Sequence, residues 1–253
     1  MPGTERSQTH HRGTLSAMRR SAVVFSLSCT LGACGGIALH DIVTPQPVPE
    51  DACLVVGFLG GRDHWDDADK GVRKLALTLR KPEGHVFAET FENQRREVAE
   101  SFVVAASPAR LVIYGQSFGG AAVPKFARTL EAHGVPILLT IQIDSVGRGD
   151  AAVPRNVAYA VNLYQSDGWF IRGEHPIRAV DPDATTILGN WRFRYNEAPG
   201  SEISLEGVPF WKRLFRIPHA RMDRDAAVWS MVERLIRAAC GRENLRRVAE
   251  ALG

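Results

Sequence analysis

The chain has 253 residues, 45% of them hydrophobic and 23% charged, with a formal net charge of +3. That length and composition suit one sizeable soluble domain, or at most two small ones, and exclude disordered, fibrous and polytopic classes. Setting aside residues 1–33, where four arginines face only Glu5, leaves basic and acidic residues equal in number, so no electrostatic footprint for nucleic acid remains.

The N-terminus has the parts of an export signal. From Met18 the sequence reads MRRSAVVFSLSCTLGAC: two arginines, an uncharged stretch, then small residues. Residues 1–17 then precede the true start. LGAC, 31–34, is similar to a bacterial lipobox, in which Cys34 is lipidated after cleavage. The uncharged run from Ser21 to Leu39 is also about long enough to span a bilayer uncut. A lipoprotein signal, a membrane anchor and a plain cleaved signal all fit residues 1–39. They predict an exported protein of the bacterial periplasm or cell envelope, held to the membrane by its N-terminus in the first two cases. Residues 40–51, with TPQPVPE at 44–50, read as a proline-rich tether to a domain over 52–253. Export would permit a disulfide, and Cys53 and Cys240 are the cysteines left to form one; two free buried thiols fit equally.

CLVVGF, 53–58, is a buried-strand pattern ending at glycine. Ala68, Val72, Leu75, Ala76 and Leu79 fall on one helical face, and HVFAETF, 85–91, reads as a strand. Val98, Ala99, Phe102, Val103 and Ala106 return to helical spacing. RLVIY, 110–114, is a strand, followed by a helix through Ala122, Phe126 and Leu130 in which Pro124 predicts a kink. VPILLTIQI, 135–143, and NVAYAVNLY, 156–164, are strands, and TTIL and WRFRY within 185–195 are strands or a hairpin. A last amphipathic helix carries Val228, Met231, Val232, Leu235, Ile236 and Ala239, with Asp223 or Asp225 near its start. Alternating strands and helices predict an α/β fold: a mostly parallel sheet with helices on both faces and candidate chemistry just beyond the strand ends.

Gly115-Gln116-Ser117-Phe118-Gly119 matches G-x-S-x-G between a strand and a helix. That turn is tight enough to strain the serine, and side chains two residues to either side would meet neighbouring backbone. Serine needs a base, and His219 of RIPHARMDRD sits on a loop shortly before the last helix. His10, His11 and His40 lie with the signal or tether, His85 and His133 at element ends, and His64 and His175 in loops of unclear placement. Asp144 directly ends an apolar strand, which makes it the preferred partner for the imidazole. Asp167, after the next strand, is the alternative acid, and Asp150 a third candidate.

At these residues the chain resembles the α/β-hydrolase superfamily over about 52–240. The resemblance rests on Gly115–Gly119, the βα alternation and the order serine, acid, histidine. It implies an acyl-transfer site of the Ser-His-Asp type with Ser117 as nucleophile and His219 as base; a few lipases carry the acid on the earlier strand, the variant that suits Asp144. Many α/β hydrolases carry the acid one strand later, where Asp167 stands. It also implies two backbone N–H donors for an oxyanion. Phe118 would supply one, and Leu59 or Phe58 of GFLGG, 57–61, the other, although GFLGG departs from the His-Gly-Gly-Gly form of some esterases. The short connection from Asp144 to Asn156 leaves minimal room for a lid domain, and so an open site.

The segment RDHWDDAD, 62–69, lacks fixed ligand spacing, and its aspartates suit a helix start, so no metal and no cofactor are expected. Asn162 and Gln165 orient substrate or satisfy loop backbone; GWFIRG and VPFWKRLF line an acyl pocket or simply pack. The predicted activity is hydrolysis of a small-molecule or lipid ester, or a thioester. The alternatives are a non-catalytic cell-envelope binding protein and an acyltransferase on the same frame. Oligomeric state is not legible.

Overall fold

The computed structural model describes residues 41–80, 85–167, 172–173, 176–195 and 218–253. The N-terminal signal with Cys34, His175, most of GWFIRG and all of VPFWKRLF lie outside these residues, and so does part of the region that bears on a lid. No helix among the described residues is long and apolar enough to cross a membrane.

Six strands form one sheet: β1 (Cys53–Leu59), β2 (Val86–Glu92), β3 (Leu111–Gln116), β4 (Ile137–Ile143), β6 (Val157–Tyr164) and β8 (Thr186–Arg192). Their order is β2-β1-β3-β4-β6-β8, and every pairing is parallel. A pair of two-residue strands, β5 (Ala152–Val153) and β7 (Arg178–Ala179), lies outside it. β1 and β3 are buried along their whole length, as parallel strands covered on both faces must be. The helices are α1 (Gly71–Leu79), α2 (Arg96–Ala106), α3 (Phe118–Ala132), α4 (218–224), α5 (Ala226–Cys240) and α6 (Leu245–Glu250).

The predicted periodicities become two cores. Val72, Leu75, Ala76 and Leu79 of α1 join Val228, Val232, Leu235 and Ile236 of α5 against Val55, Val112, Tyr114 and Ile141. The other face packs aromatics: Phe58 meets Phe126 of α3 edge to face at 5.0 Å, and Phe91 meets Phe102 of α2 at 5.4 Å. Asp225 caps α5 by accepting from the Ala227 N–H. Pro124 does not divide α3, which runs for 15 residues through it. Most of TTIL and the first two residues of WRFRY fall in the single parallel strand β8, with a register irregularity opposite Ala160 and Val161.

Cys53 and Cys240 form a disulfide, joining the start of β1 to the end of α5 with a Cα–Cα distance of 5.5 Å. The proline-rich stretch is not a free tether over 41–50, where Thr44 and Val48 are buried. The Glu89 carboxylate of edge strand β2 accepts from the N–H groups of Val43 and Thr44 and from the Thr44 hydroxyl. Arg73 and Arg80 both bind Asp41, and Arg80 also reaches Glu89. The burial of Asp41 opposes its charge, but hydrogen bonds and charges from Arg73 and Arg80 hold its carboxyl below the ordinary range. Residues 41–50 thus form a strap tied to the side chain of Glu89 on the edge strand.

Candidate active site

Gly60, Ser117, Asp144 and Gln165 are the first residues beyond β1, β3, β4 and β6, four neighbours in the sheet. The frame thus gathers their side chains and backbone groups at one place, the C-terminal edge where open parallel sheets bind ligands.

The turn at Ser117 is as tight as its glycines suggested. A Cβ on Gly115 would stand 2.3 Å from the Gly119 carbonyl oxygen, and one on Gly119 would stand 2.0 Å from that of Phe58. Ser117 has φ 61° and ψ −125°, a strained conformation for any residue but glycine. Backbone bonds over-determine it: its N–H donates to Ile143 at 3.0 Å, and its carbonyl accepts from Val146 at 3.1 Å. The turn is therefore tied to the end of the strand that carries Asp144.

Ser117 occupies the N-cap position of α3, where a serine oxygen ordinarily accepts an N–H from the first turn. It makes no such bond. Its Oγ lies instead 2.9 Å from His219 Nε2. His219 Nδ1 lies 2.6 Å from Asp144 Oδ2. A carboxylate can only accept, so Nδ1 carries the hydrogen and Nε2 is left to accept from the serine hydroxyl. Asp144 is fully buried, Ser117 and His219 nearly so. Asp144 also accepts from the Gln165 backbone and side chain, and it holds φ at 43°. A hydroxyl, an imidazole and a carboxylate in this sequence can pass a proton from Oγ to Nε2 while the carboxylate stabilises the resulting cation.

His219 lies on the helical segment α4 rather than on a loop. One turn later, loss of solvent pushes the Asp223 carboxyl above the ordinary range, against the pull of Lys70 and His219. Burial disfavours the Lys70 charge, but Asp63 at 2.9 Å, with Asp223 and Asp67, raises its pKa. RDHWDDAD thus supplies ion pairs beside the site, and no cluster of potential metal ligands occurs among the described residues.

Other candidates have different employment. Asp167 pairs with Arg192 at 2.9 Å and accepts from the Tyr195 N–H at 2.7 Å, while His219 contacts Asp144. Asp150 accepts from the Ser145 hydroxyl and, through its carbonyl, from Gln142. Asn162, buried two residues before the end of β6, bonds Asn190 across β6 and β8. Gln165 is the residue whose place at the site sequence reasoning left open. Its signal was its position, the first residue beyond a strand neighbouring β4.

Strand parity bears on the N–H groups expected from Leu59 or Phe58. Cys53 donates its N–H to His85 on the β2 side, and Leu54 donates to Arg110 on the β3 side. Alternation along β1 then turns the Leu59 N–H toward β2, away from Ser117, and the Phe58 N–H into the ladder with β3. Gly60 lies against Ser117 itself: a Cβ there would stand 3.0 Å from that of Ser117. Asn93 steadies this loop, donating to the carbonyls of Leu59 at 3.0 Å and Gly61 at 2.8 Å. Phe118, next to the serine, opens α3 with 48% of the residue's surface exposed, its N–H at the positive end of the helix.

No family model matches the chain, and no curated protein sequence matches it. A solved structure titled "RedJ with PEG molecule bound in the active site" is similar at 12% identity and a TM-score of 0.36, covering 70% of this chain and 92% of that one. A likeness of that size leaves any functional reading to rest on the residues themselves.

Proposed function

We propose that this protein is a serine hydrolase of the α/β-hydrolase type that cleaves a carboxylic ester or thioester through an acyl-enzyme. One observation carries the reading: the Ser117 hydroxyl forgoes its helix cap for His219 Nε2, while Nδ1 is bound to a buried carboxylate.

In this reading Ser117 Oγ attacks the carbonyl carbon as its proton passes to His219 Nε2. The N–H groups of Phe118 and Gly60 receive the oxyanion. As the tetrahedral intermediate collapses, Nε2–H protonates the departing oxygen or sulfur. Water, deprotonated by the same nitrogen, then attacks the acyl carbon, and the proton returns to Oγ. Asp144 holds Nδ1–H throughout and offsets the imidazolium charge. Exposed Phe118 offers an apolar contact for the substrate, which fits a small-molecule or lipid ester. No cofactor enters these steps.

We also place the protein outside the cytoplasm, attached at the envelope through its N-terminus. The Cys53–Cys240 disulfide supports an oxidising compartment.

Labelling with a fluorophosphonate probe tests the catalytic reading. Wild type labels, while Ser117→Ala and His219→Ala do not. An unlabelled wild type overturns the reading, and equal labelling of Ser117→Ala moves the nucleophile elsewhere.

A further inference from the structure

Gln165 is fully buried, and a buried carboxamide needs partners at both ends. The Asp167 N–H donates to its Oε1 at 2.9 Å, which fixes the oxygen end. The nitrogen end is thereby turned to Asp144, where Nε2 donates to Oδ2 at 3.1 Å. The backbone N–H of the same residue donates to Asp144 Oδ1 at 3.3 Å. One residue reaches both carboxylate oxygens. Gly173 closes around the pair: its N–H donates to the Gln165 carbonyl at 3.0 Å, and a Cβ there would stand 2.4 Å from Asp144 Oδ1. Asp144 has no room to turn, although its own backbone is strained.

We infer that Gln165 is the positioning residue for the Asp144 carboxylate, an inference that rests on the Ser-His-Asp reading. Its two neutral donors reach both oxygens of a fully buried side chain that water cannot serve. They also set the carboxylate plane, so that Oδ2 faces Nδ1 and His219 stays in the tautomer that can accept from Ser117. Gln165 touches neither Ser117 nor an acyl carbon; it acts through Asp144. Among the described residues, the charged groups around the imidazole are Asp144 and, from α4, Asp223, with Lys70 and Asp63 beyond.

The test uses the full chain with Gln165→Leu and Gln165→Glu, read by ester hydrolysis, by the pH profile of kcat/KM and by thermal unfolding. Loss of a hydrogen bond to a charged group corresponds to about 10–100-fold. Gln165→Leu therefore lowers kcat by about that factor, with KM within about twofold. Gln165→Glu is nearly isosteric and sets a second carboxyl group about 3 Å from the first, so that the pair and His219 together take up a proton at higher pH than the wild-type site. It moves the acid limb of the profile to higher pH. Wild-type kcat and an unmoved limb in both variants overturn the inference, whatever happens to Tm, and leave the serine reading standing. If Gln165→Leu does not fold, Gln165→Glu decides alone. A wild type that fails to label with the fluorophosphonate overturns both.

Discussion

Replacing Asp144 by Asn separates charge from shape. The side chain keeps its size, and Gln165 decides its orientation: the amide oxygen belongs where Nε2 of Gln165 and Nδ1 of His219 both donate. The amide nitrogen then faces the Gln165 N–H, a poor but tolerable contact at 3.3 Å. What disappears is the negative charge beside the imidazolium that forms during attack. At a charge separation of about 4 Å and an effective dielectric near 20, that attraction is worth about 4 kcal/mol. Asp144→Asn should therefore lower kcat about 10³-fold, with KM little changed and the fold intact. Asp167→Asn is the control. It weakens an ion pair to a half-exposed Arg192, worth about 1 kcal/mol at most, and should keep activity within about threefold. Both variants are assayed on a chromogenic ester, with circular dichroism to verify folding. If Asp167→Asn loses activity and Asp144→Asn keeps more than about a tenth, the assignment of the acid is wrong.

Gly119→Ala forces a methyl group into the Phe58 carbonyl, so α3 must shift by about 1 Å from β1; a misplacement of that size costs about 10²-fold in kcat, and unaltered kinetics would mean that the tight turn is not needed. The depressed carboxyl of Asp41 gives acid stability a definite sign. The unfolded chain binds that proton more tightly, so the contribution is complete above about pH 4 and fades as pH falls through the folded-state value. Asp41→Asn should flatten the acid side of a stability-versus-pH curve measured in urea, and an unchanged slope there would remove the strap from the account.

The sequence is most readable where geometry forces residue choice. The glycines around Ser117 are a direct print of contacts that admit no Cβ, and Asp144 stands out as a charge ending an apolar run. Both are joined to His219 by bonds to its two nitrogens. The oxyanion donor is harder, because strand parity flips with every residue. An uncertainty of one position at the end of β1 separates Leu59, turned to β2, from Gly60, beside Ser117. Helix α4 has two turns among the described residues, and β5 and β7 have two residues each, too few to display a period. The strap escapes for another reason: Asp41 and Glu89 find Arg73 and Arg80 only after the chain has folded, while prolines nearby suggest an unattached linker.

The Cys53–Cys240 bond closes a covalent ring over a separation of 187 residues, and the ring includes Gly60, Ser117, Asp144, Gln165 and His219. A single protease cut anywhere within it leaves one molecule, whose pieces part only under reducing conditions. Outside the ring lie the N-terminal region with its strap and the short tail with α6. Under the proposed envelope attachment, cleavage before β1 would therefore carry every proposed reactive group away in one crosslinked unit.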